Sequence, residues 1–578
     1  MNPTQILMPN RSARATAEQA AVRGLLNTFL RETGHHDPRS QEGDPLFQVE
    51  LPASGRVLSG LLTHWSALGH HAYGDRFEIS DPVSGPATRE LGHEELVRVM
   101  LDEIAAALGD DRGITQRRKE RLTVQIANSV ERVSRYLNRH WPDRPTDPRA
   151  LTRHAEQSLR LGHPMHPTPK SAEGFSDHDL VAYAPELGAE FTLHYFAVAP
   201  ELVREDRVAP GEWVPALARE QAARALGPQR GGYPLIPIHP WQAGYLLTQP
   251  AVRELVDTGR LVPLGPLGAT VYPTSSVRTV CDPEFPTAWK LPLHVRITNF
   301  LRTNPLEHAE RAVDASRLIA ALRPGWAYDG FDVLVETGYR TVREPGLAED
   351  FSVLFRENPF TDGGQAPQVL AALLEERPGG EPDLVGYLRE AAGLTAERAS
   401  HSDRPVPAET TVEWLRRYLA VSLLPALDVW TAGGVSLEAH VQNCLLHLEG
   451  GWPVRFYVRD MEGVSVSRQR LAHRDLVSAD SPALFDDAEA WMRLKYYLVT
   501  NHLGHLIHVL GRYGALDEPH LWGVVAGVLA ECPDQEYLAD LRRSPTLPAK
   551  ANLTSRLAER GERPLYVSVP NPMCEVPR

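Results

Sequence analysis

Apolar residues recur at helical spacing early in the chain, at Val22, Leu25, Leu26 and Leu30 and again at Leu96, Val97, Val99, Met100, Leu101 and Ile104. The pattern predicts a helix-rich region over residues 1–150, interrupted by short strands at Phe47–Leu51 and Arg56–Leu62. A polar, proline-rich passage from Trp141 to Pro148 closes it. From Leu151 to about Leu347 short apolar runs alternate with turns, and Phe191–Val198 and Leu235–Pro240 read most clearly as strands. Between Thr361 and Thr411 proline, glycine and acidic residues accumulate, which predicts loops around one or two helices. The remainder returns to helical spacing, with a β-hairpin pattern from Gln442 to Val466. The expected class is α+β, divided into an N-terminal region (1–150), a strand-rich core (151–400) and a helix-rich C-terminal region (401–578).

Composition narrows the function. The chain has 578 residues, 42% apolar and 23% charged, enough for a large core without disulfides or structural metal. A net charge of −14 argues against general nucleic-acid binding, which needs a basic face. The one basic run, Arg117-Arg118-Lys119-Glu120-Arg121, reads as a solvated helix face. Cys281, Cys444, Cys532 and Cys574 form no C-x-x-C pair and read as reduced thiols. The stretch Tyr418–Leu437 contains Pro425, Asp428 and Gly433-Gly434, so it predicts a buried helix running into a turn, not a membrane span. With no basic, apolar leader after Met1, the expectation is a cytoplasmic protein without membrane partners.

Three clusters place polar residues where a plain core would want apolar ones. In Gly162-His163-Pro164-Met165-His166-Pro167-Thr168-Pro169-Lys170 the prolines forbid a regular helix and fix the backbone. Two imidazoles and an ammonium then sit on a rigid loop suited to an anion; a plain turn and a His-x-x-His metal pair are the competing readings. The second cluster is Ser275-Ser276-Val277-Arg278-Thr279, then Lys290, then the run Arg296 to Arg302. Strand alternation would aim Arg278, Lys290 and Arg302 into one cleft, where guanidiniums grip carboxylate or phosphate bidentately. Solvated strand faces are the alternative, but a basic cleft in an acidic protein points to an anionic small molecule.

The third cluster is Glu438 to Leu446 followed by Phe456 to Gly463. A loop ending in Asn443 and a strand ending in Asp460 is the arrangement with which kinase-like folds hold magnesium between ATP phosphates. Glu438, Asn443 and Asp460 supply the hard oxygens that magnesium prefers. A kinase also carries an aspartate shortly before that asparagine, and here His440, Val441 and Gln442 stand instead. His502, His505 and His508, at helical spacing, read as packing or substrate-wall residues. P-loop, dinucleotide-binding, nucleophile-elbow and H-E-x-x-H motifs are all absent from the sequence.

These segments together resemble the NRPS-independent siderophore synthetases, the aerobactin- and achromobactin-synthetase family. The resemblance rests on His163-Pro-Met-His166-Pro-x-x-Lys170, Ile238-His239-Pro240-Trp241-Gln242, the Ser275 to Arg302 cluster, Glu438-x-His440-x-x-Asn443 with Asp460, and Pro548-Ala549-Lys550 to Leu557, closing with Pro570-Asn571-Pro572. It spans Leu151 to the C-terminus; the stretch Asn552-Leu553-Thr554-Ser555 departs from the family's more continuous apolar run.

The resemblance implies an open hand of thumb, fingers and palm around a central cleft. It implies a ligase that adenylates a carboxylate of citrate or a related polycarboxylic acid with ATP and Mg2+, then condenses it with an amine or alcohol. It also implies roles. Arg278, Lys290 and Arg302 would neutralise the charge of one anion attacking another, with Ser275, Ser276, His440 and Asp460 completing the nucleotide site. Glu438, Asn443 and Asp460 would place the metal; His163, Lys170, Thr298, Asn299, Arg302 and Lys550 would hold carboxylates. A homodimer is the family expectation. A small-molecule kinase of the aminoglycoside-phosphotransferase kind and a non-catalytic citrate- or siderophore-binding protein stay open beside this reading.

Overall fold

The computed structural model describes residues 11–40, 45–81, 85–109, 112–140, 142–298, 300–377, 380–394, 405–533, 536–561 and 563–574. Helix Arg11–Thr33 lays Val22, Leu25, Leu26, Phe29 and Leu30 against a four-stranded antiparallel meander, Leu46–Leu51, Arg56–His64, Ala72–Asp81 and Gly85–Glu90. Helices His93–Leu108 and Arg112–Asn138 complete this layer, which is therefore richer in strand than the hydrophobic pattern predicts. Phe47, Leu58 and Phe77 alternate with exposed residues on the meander and fill the same core as the helices. Leu553 and Leu557, from the far end of the chain, enter that core too.

Asp147 opens the next helix by accepting a hydrogen bond from the Ala150 N–H, with Pro148 at the first helical position. Beyond it an eight-stranded sheet runs in the order Val203–Arg207, Glu336–Val342, Val353–Glu357, Thr287–Lys290, Thr279–Cys281, Leu261–Pro273, Phe191–Val198, Leu235–Ile238. Its registered pairs are all antiparallel. Thr287–Lys290 and Glu336–Val342 are buried along their whole length, as central strands covered on both faces must be. The largest core lies under the C-terminal helices and includes Trp414, Tyr418, Trp430 and Trp522, each fully buried.

The predicted hairpin forms from Cys444–Glu449 and Trp452–Arg459. Tyr418–Leu437 becomes the end of one buried helix and the helix Leu423–Gly433, stopped by Gly434 at φ 68°. Among the described residues no helix is long and apolar enough to cross a membrane. The segment carrying His502 departs from expectation: Lys495–Leu503 is a π-helix, a form concentrated at functional sites, before an α-helix resumes at Gly504.

Candidate functional site

A cavity of about 510 Å³ gathers segments hundreds of residues apart. The His163–Lys170 loop, the Ser275–Arg278 turn, the ends of strands Thr287–Lys290 and Phe300–Arg302, the Glu438–Asn443 loop, the Asp460–Gly463 turn, the π-helix and helix Asn552–Leu557 all line it. Ten Lys and Arg side chains face five Asp and Glu among the described lining residues, the reverse of the balance in the whole chain. Every described non-glycine residue with positive φ lies here as well: Val277 (61°), Thr298 (58°), Asp460 (77°) and Glu559 (52°). Each costs about 1 kcal/mol or more, strain that concentrates at sites where position matters more than stability.

One local device recurs around the cavity. His163, His166 and His440 each accept, at Nδ1, a hydrogen bond from the backbone N–H two residues on, at 3.0, 3.1 and 3.2 Å. His239, just outside, does the same to Trp241 at 3.1 Å. Proline follows three of the four and holds the turn. A ring that accepts at Nδ1 carries its proton on Nε2. Burial lowers the His163 and His440 pKa values to about 3 and about 4, helped at His163 by His440 and at both by Lys550, so both rings are neutral at neutral pH. The Asn501 side-chain amide lies 2.9 Å from His163 Nε2, and with the proton on that nitrogen the amide turns its otherwise unpartnered oxygen to the ring.

The inner wall is a chain of matched ions. Lys290 Nζ lies 2.5 Å from Asp460 Oδ1 and 2.6 Å from Glu462 Oε2. Arg278 Nη2 is 3.6 Å and His308 Nδ1 3.0 Å from the same Glu462 carboxylate. Burial would raise Glu462, but Lys290, His308 and Arg278 hold it well below the ordinary carboxylate range. Behind this row Arg356 pairs with Glu336 at 2.7 Å, and Arg459 grips both oxygens of Glu156.

The outer wall is less compensated. Lys550 Nζ donates to Tyr497 Oη at 2.8 Å and packs over the Tyr496 and Tyr497 rings. Burial lowers its pKa to about 8, with Glu438 opposing. Burial and the repulsion of Arg278 lower Arg302 to about 10. Glu438 is raised, by burial and by Asp460, against the pull of Lys550. A β-carbon at position 463 would fall 1.7 Å from Glu438 Oε2, so only glycine permits that carboxylate to approach the turn. Asn443 Nδ2 lies 3.2 Å from the Glu438 carbonyl and 3.5 Å from its carboxylate.

The sequence-predicted residues thus converge, with three changes of emphasis. Lys170 is committed: its Nζ donates to Glu186 at 2.5 Å and to the Leu159 carbonyl at 2.6 Å, both partners buried. Ser275 turns its hydroxyl to Glu156 at 2.9 Å, and so supports the turn, leaving Ser276 as the less buried of the pair. Arg278 Nη1 donates to the Arg302 and Thr303 carbonyls and to Asn304 Oδ1, which ties the turn to the next strand. It sits in a turn, not in the strand that alternation predicts. Arg302 Nη2 meets Thr298 Oγ1 at 2.8 Å. Asn299 lies outside the described residues.

Sequence reasoning missed Glu462, His308, Tyr497, Asn501 and Arg556. Glu462 and Arg556 stood inside quoted segments, two residues after Asp460 and six after Lys550. Tyr497 and Asn501 had no signal, because they lie on a π-helix that follows none of the usual periods, and His308 is a lone histidine on the helix Leu306–Leu322. His502 packs against Tyr418 and the Ala439 carbonyl, His505 stacks on His70 at 4.9 Å, and His508 joins His64 and Glu518. The atoms of that last trio that could ligate a metal lie within 4.8 Å of one another, away from the lining residues of the main cavity.

Residues 151–375 match the IucA / IucC family, and residues 412–565 match the family described as ferric iron reductase FhuF-like transporter. The chain is 35% identical to the L-2,3-diaminopropanoate–citrate ligase of Staphylococcus aureus, over 98% of each chain. It is 28% identical to the spermidine–citrate ligase of Bacillus anthracis, over 97% of this chain and 98% of the relative. The fold matches an ATP-bound aerobactin synthetase from Klebsiella pneumoniae with a TM-score of 0.80 and 24% identity, covering 96% and 99% of the two chains.

Proposed function

Because the chain belongs to the IucA / IucC family, we propose that its cavity adenylates citrate with ATP and joins the activated carboxyl to an amine, releasing AMP and pyrophosphate. The observation that carries this reading is the surplus of cations lining a cavity with strained backbone in an otherwise acidic chain. Two anions repel as one attacks the other, and fixed positive charge in a low-dielectric site is the largest aid such a reaction can receive. Arg302 and Arg278 stand where that charge builds. Ser276 and the Nε2–H of His440 donate to the α-phosphate, and both donors are neutral, so they add no competing proton. His163, Thr298 and Lys550 hold the carboxylates; Lys170 keeps the His163 loop in place through Glu186.

The donor set also fits a divalent cation. Glu438, raised by burial and by Asp460, is an oxygen ligand that a cation would relieve, and Asn443 and Asp460 stand beside it. Bound magnesium would screen the triphosphate and polarise the α-phosphorus. The same proposal places the enzyme in the cytoplasm as a homodimer, the second point read by light scattering.

Nucleotide analysis tests the core of the reading. With ATP, magnesium and hydroxylamine, citrate should elicit AMP and pyrophosphate, while 2-oxoglutarate and succinate should not. ADP would instead assign the cavity to phosphoryl transfer, and no citrate-dependent turnover would leave it a binding site.

A further inference from the structure

Arg556 has no task in the adenylation step. It lies on helix Asn552–Leu557 and lines the outer part of the cavity, and its Nε and Nη2 are buried with no hydrogen-bond partner. The charges of two more guanidiniums act on it, Arg121 of helix Arg112–Asn138 and Arg296 of strand Leu293–Ile297. Glu173 and Glu559 are the carboxylates that act on it, and both are shared. Glu559 lies 3.1 Å from Arg121 and 3.5 Å from Arg118. Glu173 accepts from Gln125 at 2.5 Å and lies 4.0 Å from Arg296.

The helix itself is firmly placed. The buried Glu32 carboxylate accepts from the Leu553 and Thr554 N–H groups, each at 2.7 Å, and from the Thr554 hydroxyl at 2.6 Å. Asn552 donates to the Met165 carbonyl at 2.6 Å, which ties the helix to the His163 loop. A half-buried guanidinium on a fixed helix, with two unpartnered donors and like charges around it, is built for an anion.

Resting on the citrate-ligase reading, we propose that Arg556, backed by Arg296 and Arg121, receives the carboxylate of the incoming amine, so that the second substrate is an amino acid bearing a side-chain amine and not a polyamine. A polyamine would bring positive charge to a wall that already carries an excess of it. In the transfer the neutral nitrogen attacks the citryl carbonyl and forms a C–N bond. The C–O bond to AMP breaks, AMP leaves with that electron pair, and the surplus nitrogen proton passes to water. Arg556 takes no part in bond making; it fixes the nitrogen's approach by holding the far end of the molecule.

The test is amide formation, read by mass spectrometry, with ATP, magnesium and citrate fixed and the amine varied. L-2,3-diaminopropanoate should exceed its carboxamide and spermidine in kcat/KM by about 30-fold or more, the worth of a charge-assisted hydrogen bond. Arg556→Gln should raise KM for diaminopropanoate about tenfold or more and move that for the carboxamide less than about twofold; Arg556→Lys should recover part of the loss. Equal use of the carboxamide or spermidine by the wild-type enzyme overturns the proposal. So does an Arg556→Gln effect confined to the KM of citrate or ATP. If the variant fails to fold, the wild-type amine series still decides. A wild-type enzyme that gives no citrate-dependent AMP with hydroxylamine would refute the adenylation reading instead, a distinct outcome.

Discussion

The inner and outer walls of the cavity use the same residue types for opposite ends. On the inner wall the buried cations stand against carboxylates: Lys290 has Asp460 and Glu462, Arg278 shares Glu462, Arg356 has Glu336, Arg459 has Glu156. On the outer wall Arg302 and Lys550 are half-buried with depressed pKa values, and Arg556 keeps two donors unpaired. Matched pairs hold a shape, because breaking one strands a charge in a dry place. Unmatched cations cost stability until an anionic substrate arrives, and that stored cost becomes binding specificity.

The largest effect that would test this contrast belongs to the inner wall. Glu156→Gln leaves the Arg459 guanidinium buried without its counter-charge and should lower unfolding free energy by about 3–5 kcal/mol, measured from denaturant midpoints. An unchanged midpoint would break the comparison. Arg302→Ala should do the reverse, cutting citrate-dependent AMP formation by about 10²–10³-fold. Its stability should hold or rise, since burial already penalises that charge. A variant that unfolds would move Arg302 to the structural wall.

A smaller effect comes from Lys550, whose pKa in the empty site is about 8 against 10.5 in the open chain. Its charge therefore disfavours the folded state below pH 8, and the penalty is relieved as pH rises from about 8 toward 10.5. Citrate should bind the charged form. Its KM should rise about tenfold per pH unit above 8, once the empty site has lost the proton. Lys550→Arg should flatten that limb, and a flat limb in the wild type would remove Lys550 from the citrate site. Smallest of all, Arg117→Ala on the solvated helix face should shift stability by less than about 0.5 kcal/mol by thermal melting, since exposed charges are screened.

Much of this was legible in the residues. The strands Phe191–Val198 and Leu235–Ile238, the Cys444–Arg459 hairpin and the helix that ends in the turn at Gly433-Gly434 all follow apolar runs and turn formers. The N-terminal meander was only half visible, because polar Gly74-Asp75-Arg76 interrupt the apolar positions of Ala72–Asp81, and Gly85–Glu90 carries few apolar residues. Arg278, Lys290 and Arg302 do meet, but a turn and two strand ends bring them together, not alternation along one strand. The role of Lys170 was illegible because its partner Glu186 sits in a separate short turn, and nothing in either segment names the other.

By itself the sequence determined the local devices, above all the His-Pro turns that set an imidazole tautomer. Those depend on neighbours within a few residues, where covalent geometry rules. Tertiary structure alone decided which charges would be paid in kind and which left open. Lys290 found Asp460 across 170 residues and Arg459 found Glu156 across 303, while Arg556 found two arginines and only carboxylates that other groups share. Charge compensation acts through space over a few ångströms, and only the folded chain sets those distances.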